Sequence, residues 1–143
     1  MHRLHTKHTR SPLAPLVFLL LLLILPIHAM AHENSQAKRI VTLCAPVTEI
    51  VFALGAGKHV VAVDRSSQYP PETNKLPKLD YHRKLSAENI LALQPDLILL
   101  STTSGPESAI QQLRTAGIRV VQIEEVNHWK NAQARILTIG RVL

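Results

Sequence analysis

Short apolar runs alternate along the chain with stretches in which apolar residues recur at helical spacing. The runs are rich in Val, Ile and Leu and predict strands at 39–44, 59–63, 96–100 and 119–123. The helically spaced positions predict helices over 46–54, 86–94, 106–117 and 131–143. Strands that alternate with helices are typical of a parallel α/β sheet, and continuous apolar strands indicate that both faces are covered. The sequence therefore predicts an α/β fold with a parallel four-stranded sheet and helices on both faces.

The first 31 residues follow a different pattern, in which basic residues precede one longer apolar run. Three basic residues and no acid come before the run Leu16–Leu25, and residues 29–31 (Ala-Met-Ala) supply the small side chains that a signal peptidase recognises. A helix of that length spans about 15 Å, against about 30 Å of hydrocarbon, so it is too short to cross a membrane. We therefore expect a cleaved signal peptide over 1–31 and a short N-terminal segment over 32–38.

Composition narrows the function classes once this leader is set aside. The 143 residues carry 16 Lys+Arg and 10 Asp+Glu, a net charge of +6, which falls to +3 when the leader's three basic residues are removed. Five aromatic residues and no run of Lys or Arg argue against a nucleic-acid-binding protein. The single cysteine, Cys44, excludes an intramolecular disulfide, a structural zinc knuckle and a cysteine-held iron–sulfur cluster. We expect Cys44 to be a small buried residue.

The sequence contains none of the common motifs for phosphate binding or nucleophilic catalysis. No G-x-G-x-x-G follows the first predicted strand, and neither G-x-x-x-x-G-K-[ST] nor G-x-S-x-G occurs. Open parallel sheets bind ligands beyond the carboxyl ends of their strands, here the 44–46 turn, the irregular segment 64–84 and the 101–106 loop. A loop as long as 64–84 is usually functional or disordered. It is therefore the first place to seek a binding site.

Six short motifs follow one another in order along the chain. They are RIVTL (39–43), TEI (48–50), ALGAG (53–57), YPP (69–71), LSAENI (85–90) and QPDLI (94–98). Together they resemble the opening of periplasmic substrate-binding proteins of ABC importers, in the class whose two lobes are joined by a rigid helix and which serves haem, cobalamin and ferric siderophores. The resemblance covers 39–143 and implies a noncatalytic binding protein in the periplasm. Because Leu143 falls within a helical pattern, we expect an incomplete N-terminal lobe.

Within that family, residues 79–88 (LDYHRKLSAE) most resemble the haemin-binding branch. Its members carry Tyr-x-Arg before Leu-Ser-Ala-Glu, and their tyrosine is the axial ligand of the haem iron. The resemblance implies that Tyr81 is this ligand and that haem is a transported cargo rather than a catalytic cofactor. A phenolate suits ferric iron, which offsets most of the roughly 4 kcal/mol needed to ionise a tyrosine at pH 7. In an extended segment Arg83 would flank Tyr81, where it can steady the phenolate or pair with a haem propionate.

His82 departs from this branch, which usually has an apolar residue at that position. Imidazole also ligates haem iron, so His82 stays open as an alternative ligand, and Tyr81 stays open as a plain loop aromatic. His59 and His128 are weaker metal candidates that we expect to be solvated. The alternative functions are cobalamin or ferric-siderophore binding within the same family, and a small secreted α/β enzyme.

Glu107 begins the helix predicted after the third strand. Its place matches the glutamate of the N-terminal lobe that docks onto an arginine of the permease in this family, so the resemblance implies a docking role for Glu107. An acid at this position is also favoured by the helix dipole alone. Together with the composition, the resemblance thus implies a monomeric periplasmic protein that binds haem and an inner-membrane ABC permease, binds no nucleic acid and has no transmembrane segment in its mature chain.

Overall fold

A computed structural model describes residues 37–125 and 129–143. The predicted signal peptide, most of the segment 32–38 and His128 lie outside the described residues. The strands of the described part are β1 (Ile40–Leu43), β2 (Val60–Asp64), β3 (Lys78–Leu79), β4 (Leu97–Ser101) and β5 (Arg119–Ile123). Its α-helices are α1 (Ala45–Ala53), α2 (Ala87–Leu91), α3 (Glu107–Thr115) and α4 (Trp129–Val142).

The strands form one parallel sheet in the order β3-β2-β1-β4-β5. The chain moves outward from β1 through β2 and β3, then crosses back to add β4 and β5 on the other side. This reversal between β1 and β4 is a switch point, beside which open α/β sheets bind ligands. Because all strands run in parallel, their carboxyl ends share one edge, which we call the carboxyl edge. It carries residues 44, 64–67, 80–84, 101–105 and 124–125.

The described sheet has five strands, one more than the sequence predicted. The added strand, β3, has two residues and pairs with the end of β2, Val63 with Lys78 and Asp64 with Leu79. It lies within the segment that was predicted to be irregular. The sequence did not reveal it, because two residues are too few to show a hydrophobic pattern. The other four strands and the order of all the predicted elements are confirmed, with strand ends that agree within one residue.

Each face of the sheet has its own apolar core, because successive strand residues point to opposite faces. On one face, Ile40 and Leu97 pack in a cluster with residues of α1 and α4. On the other face, Val41 and Ile98 pack with residues of α2 and α3. Fully burying one such side chain stabilises the fold by about 1.5–3 kcal/mol. Burial on both sides explains why the central strands are continuously apolar, as predicted.

The helix ends follow local sequence signals in part. Ser86 caps α2 as predicted, and its hydroxyl accepts the Asn89 backbone N–H at 3.3 Å. However, α2 ends at Leu91 rather than near residue 94, and Gln94 takes a positive φ of 48° before Pro95. No helix of the described residues is long and apolar enough to cross a membrane.

Candidate ligand site at the carboxyl edge

Asp64, the last residue of β2, is fully buried at the carboxyl edge. Its carboxylate accepts hydrogen bonds from five donor groups. Its Oδ1 accepts the Cys44 backbone N–H at 3.1 Å and the Ser67 hydroxyl at 2.6 Å. Its Oδ2 accepts the Ser66 backbone N–H at 3.3 Å and hydroxyl at 2.6 Å, and lies 3.2 Å from Nδ1 of His82. Burial raises the pKa of this carboxyl, but these hydrogen bonds outweigh burial and lower the pKa below its usual value. Asp64 is therefore a buried carboxylate at neutral pH.

A row of buried hydroxyls continues from this carboxylate beneath β1. Thr48 Oγ1 lies 2.7 Å from Ser67 Oγ and 2.8 Å from Thr42 Oγ1, and all three side chains are fully buried. A buried hydroxyl that lost its partner would destabilise the fold by about 1–3 kcal/mol. The row therefore fixes the first turn of α1 to the loop after β2, next to the switch point.

Cys44 joins β1 to α1 with φ 99°, a conformation that non-glycine residues rarely adopt. Its N–H donates to Asp64, and its carbonyl accepts the backbone N–H groups of Val47 and Thr48 at 3.0 and 3.1 Å. Burial, and secondly the charge of Asp64, raise the pKa of the thiol to about 11. Cys44 is thus the buried residue that the sequence predicted, and its thiol is protonated at neutral pH.

Tyr81, the predicted haem ligand, lies on the turn that follows β3 with 48% of its surface exposed. The Lys84 N–H donates to the Tyr81 carbonyl at 2.7 Å, so residues 81–84 form a turn rather than the predicted extended segment. The loop after β4 holds this turn, because the Gly105 N–H donates to the His82 carbonyl at 2.9 Å and the Leu85 N–H to the Gly105 carbonyl at 2.8 Å. The phenol therefore stands on a backbone that is fixed at the carboxyl edge.

His82 points into the protein and is only 4% exposed. Its Nδ1 is engaged by Asp64, and its Nε2 is buried without a hydrogen-bond partner among the described residues. The imidazole packs against the phenol ring of Tyr81, with ring centroids 4.5 Å apart and planes inclined by 38°. For His82 to ligate an iron outside the protein, it would have to leave Asp64 and its buried position.

Arg83 is exposed, as Tyr81 is. Its positive charge reaches the Cys44 thiol, where it opposes the rise in pKa. Residues 81 and 83 are thus exposed, and His82 between them is buried. The turn, rather than an extended strand, produces this alternation.

Glu107 is the first residue of α3, and 62% of its side chain is exposed. Its Oε1 accepts Gln111 Nε2 at 2.7 Å and pairs with Arg114 Nη1 at 3.3 Å. Glu107 is two residues after Gly105, which holds the Tyr81 turn. Because its side chain is largely exposed, a docking partner can reach it.

His59 ends the 3-10 helix Gly57–His59 just before β2, at the edge opposite to Tyr81. We expected it to be solvated, but its ring is half-buried and its Nε2 is buried without a hydrogen-bond partner among the described residues. Residues 37–125 and 129–143 contain no group of three His, Cys, Asp or Glu side chains that could hold a metal ion.

The residues that sequence analysis did not single out are Asp64, Ser67 and Thr48. The run Asp-Arg-Ser-Ser at 64–67, directly after an apolar strand, is the one available clue, since two serines can donate to a nearby carboxylate. Burial of Asp64, however, depends on Cys44 and His82, which are 20 and 18 residues away. No local pattern reveals those contacts.

Comparison with known proteins identifies the family. Residues 40–143 match the family model described as periplasmic binding protein. The chain belongs to the periplasmic binding protein family. The family resemblance and the α/β fold expected from the sequence are thereby confirmed.

Three similar proteins indicate which members of the family this chain resembles. It is 36% identical over 109 residues to the uncharacterized ABC transporter substrate-binding lipoprotein YvrC of Bacillus subtilis (strain 168), covering 75% of this chain and 34% of the relative. The periplasmic heme binding protein HutB of Vibrio cholerae is 41% identical, with a TM-score of 0.69 over 73% of this chain and 40% of that chain. The periplasmic vitamin B12 binding protein BtuF of Vibrio cholerae is 30% identical, with a TM-score of 0.67 over 75% and 42%.

The binding protein therefore spans about a third of the length of its curated relatives. Its relatives are substrate-binding proteins, so the prediction that it is not an enzyme is confirmed. The names of HutB and BtuF refer to two different cargoes. The comparisons thus establish the family of this chain but do not distinguish haem from cobalamin as its ligand.

Proposed function

We propose that this chain is the haem-binding lobe of a periplasmic substrate-binding protein, which delivers haem to an inner-membrane ABC permease. The observation that carries the proposal is the half-exposed phenol of Tyr81 on a fixed turn at the carboxyl edge, beside the exposed Arg83. The 41% identity to HutB, a heme binding protein, supports the same cargo. The export expected from the leader agrees with a periplasmic location.

In this proposal Tyr81 holds the ferric iron of the haem as a phenolate. Ferric iron is a hard cation and a phenolate oxygen is a hard donor, so their bond offsets most of the roughly 4 kcal/mol needed to remove the phenol proton at pH 7. The hydroxyl needs open space for a flat macrocycle, and Tyr81 is exposed where ligands bind in this class of sheet. Binding is reversible and makes no covalent change to the cargo.

Arg83 supplies the second interaction, an ion pair with a haem propionate. A guanidinium offers a planar pair of donors that matches a carboxylate. Tyr81 and Arg83 are both exposed on one turn, and we propose that the arginine contacts the edge of a haem bound at the phenol. Glu107, exposed at the start of α3, is the residue that we propose contacts the permease.

A haemin titration tests the proposal. The purified protein should develop the visible charge-transfer band of a ferric phenolate, and Tyr81→Phe should abolish that band. Tyr69→Phe is the matched control, since Tyr69 is also an exposed tyrosine of the 64–84 segment (64% exposed), and it should leave the spectrum unchanged. A Tyr81→Phe spectrum identical to that of the unmodified protein would refute phenolate ligation.

Cobalamin is the second candidate, favoured by the similarity to BtuF, a vitamin B12 binding protein. Cobalamin brings its own lower ligand and has no propionates, so its binding should depend little on Tyr81 or Arg83. Calorimetric titration with cyanocobalamin separates the two cargoes. Tight cyanocobalamin binding that survives Tyr81→Phe, without a haemin charge-transfer band, would replace haem by cobalamin as the cargo.

A further inference from the structure

The imidazole of His82 forms a buried support behind the ring of Tyr81. His82 is 4% exposed and Tyr81 is 48% exposed, and their ring centroids are 4.5 Å apart. The phenol therefore has the protein on one side and solvent on the other. We propose that His82 is a positioning residue, which holds the Tyr81 phenol in the orientation that presents its hydroxyl to the iron. This inference rests on the proposed function.

The support is itself held in place on two sides. Nδ1 of His82 lies 3.2 Å from Oδ2 of Asp64, whose carboxylate is fixed by four further hydrogen bonds from Cys44, Ser66 and Ser67. The His82 backbone is fixed through its carbonyl, which accepts the Gly105 N–H at 2.9 Å. The imidazole therefore cannot turn away without breaking a bond to a buried carboxylate.

A ring held in this way makes binding easier, because an exposed tyrosine otherwise loses rotamer freedom when it ligates. Ordering one side chain at a binding site weakens affinity by roughly twofold to tenfold. Aromatic packing at this separation favours one ring orientation. If His82 has already ordered the Tyr81 side chain, haem binding no longer carries that entropic penalty. This effect is independent of any contact that Arg83 makes with the haem.

Two substitutions distinguish the contribution of the His82 ring from that of its hydrogen bond to Asp64. His82→Asn keeps a donor for Asp64 but removes the ring, and His82→Phe keeps a ring but removes the donor. Both should lower haemin affinity by about threefold to tenfold and weaken the ferric–phenolate band, while circular dichroism remains that of the unmodified protein. His59→Asn is the matched control, a half-buried histidine at the opposite edge, and should change neither property.

A double-mutant cycle shows whether His82 acts through Tyr81. In the Tyr81→Phe background, His82→Asn should cause no further loss of haemin affinity. An equal loss in both backgrounds, or no loss in the His82 variants when Tyr81→Phe does abolish the band, would overturn the inference and leave the proposed function intact.

A ligand-free measurement keeps the test independent of haem binding and of any variant that fails to fold. In the unmodified protein, nuclear Overhauser cross-peaks should join the ring protons of Tyr81 and His82, and the Tyr81 χ1 couplings should indicate one rotamer. Averaged couplings without those cross-peaks would show that His82 does not position Tyr81. Failure of haemin to bind with the cross-peaks present would refute the proposed function and, with it, any role in iron binding, while the ordering of Tyr81 by His82 would stand.

Discussion

Asp64 and His82, 18 residues apart in the sequence, form a buried hydrogen bond of 3.2 Å between the end of β2 and the turn that follows β3. Both residues are buried, yet the pair connects the end of β2 to the turn that carries Tyr81, the residue proposed to bind iron. The carboxylate organises three segments at once, because it also accepts bonds from Cys44 and from the serines that follow it.

The lowered pKa of Asp64 predicts a loss of stability in acid. A carboxyl whose native pKa lies below the usual 3.8 stabilises the fold fully above that value, and this contribution is lost as pH falls through the native pKa. Urea unfolding from pH 7 to pH 2 should therefore show a steep fall below about pH 4 that is much smaller in Asp64→Asn. At pH 7, Asp64→Asn should lower the free energy of unfolding by about 1–3 kcal/mol.

Glu88→Gln is the control for this series, since Glu88 is an exposed acid on α2. It should reproduce the unmodified curve. Parallel pH curves for the unmodified protein and Asp64→Asn would contradict the role assigned to Asp64.

The raised pKa of Cys44 predicts an unreactive thiol. With a pKa of about 11 instead of 9.0, the folded protein at pH 8 carries about a hundredfold less thiolate at this position. Ellman's reagent should react slowly with the native protein and rapidly, with one thiol per chain, in 6 M guanidinium chloride. Equal rates in both conditions would show that the thiol is accessible in the fold.

Removal of the Arg83 charge should weaken haemin binding through the propionates. We expect a twofold to fivefold loss in Arg83→Ala at low salt, the size of an exposed ion pair, and a smaller loss at high salt. Lys58→Ala is the charge-matched control, because Lys58 is exposed before β2 at the opposite edge. Haemin dimethyl ester, which has no free propionates, should bind both variants equally, and a loss with the ester would contradict a propionate contact.

Removal of the Glu107 carboxylate should affect delivery and not binding. In proteoliposomes with the cognate permease, Glu107→Ala should reduce haem-stimulated ATP hydrolysis by about tenfold, while haemin affinity stays unchanged. Its pair with Arg114 is exposed, so the free energy of unfolding should change by less than about 1 kcal/mol.

Glu88→Ala, another exposed acid early in a helix, is the control for docking. Unchanged stimulation in Glu107→Ala would remove Glu107 from the interface.

Local patterns predicted most of the fold. The apolar runs that became β1, β2, β4 and β5 needed only their own residues to be recognised, and Ser86 capped α2 as its type and position suggest. The strand β3 and the early end of α2 were missed. The first depends on pairing with β2, and the second on a change to tighter hydrogen bonds, in which the Leu93 and Gln94 N–H groups donate to carbonyls three residues back. A hydrophobic pattern encodes neither.

The sequence by itself determined the kind of layered fold, the family and the place of Tyr81 and Arg83 in the segment before α2, because these depend on residue type and spacing along the chain. The tertiary structure alone decided that Asp64 and His82 are buried together and that His82 faces inward beneath Tyr81. A polar side chain becomes a buried partner only when residues distant in sequence supply its hydrogen bonds. Those partners come from the ends of parallel strands, whose order in the sheet no local pattern contains.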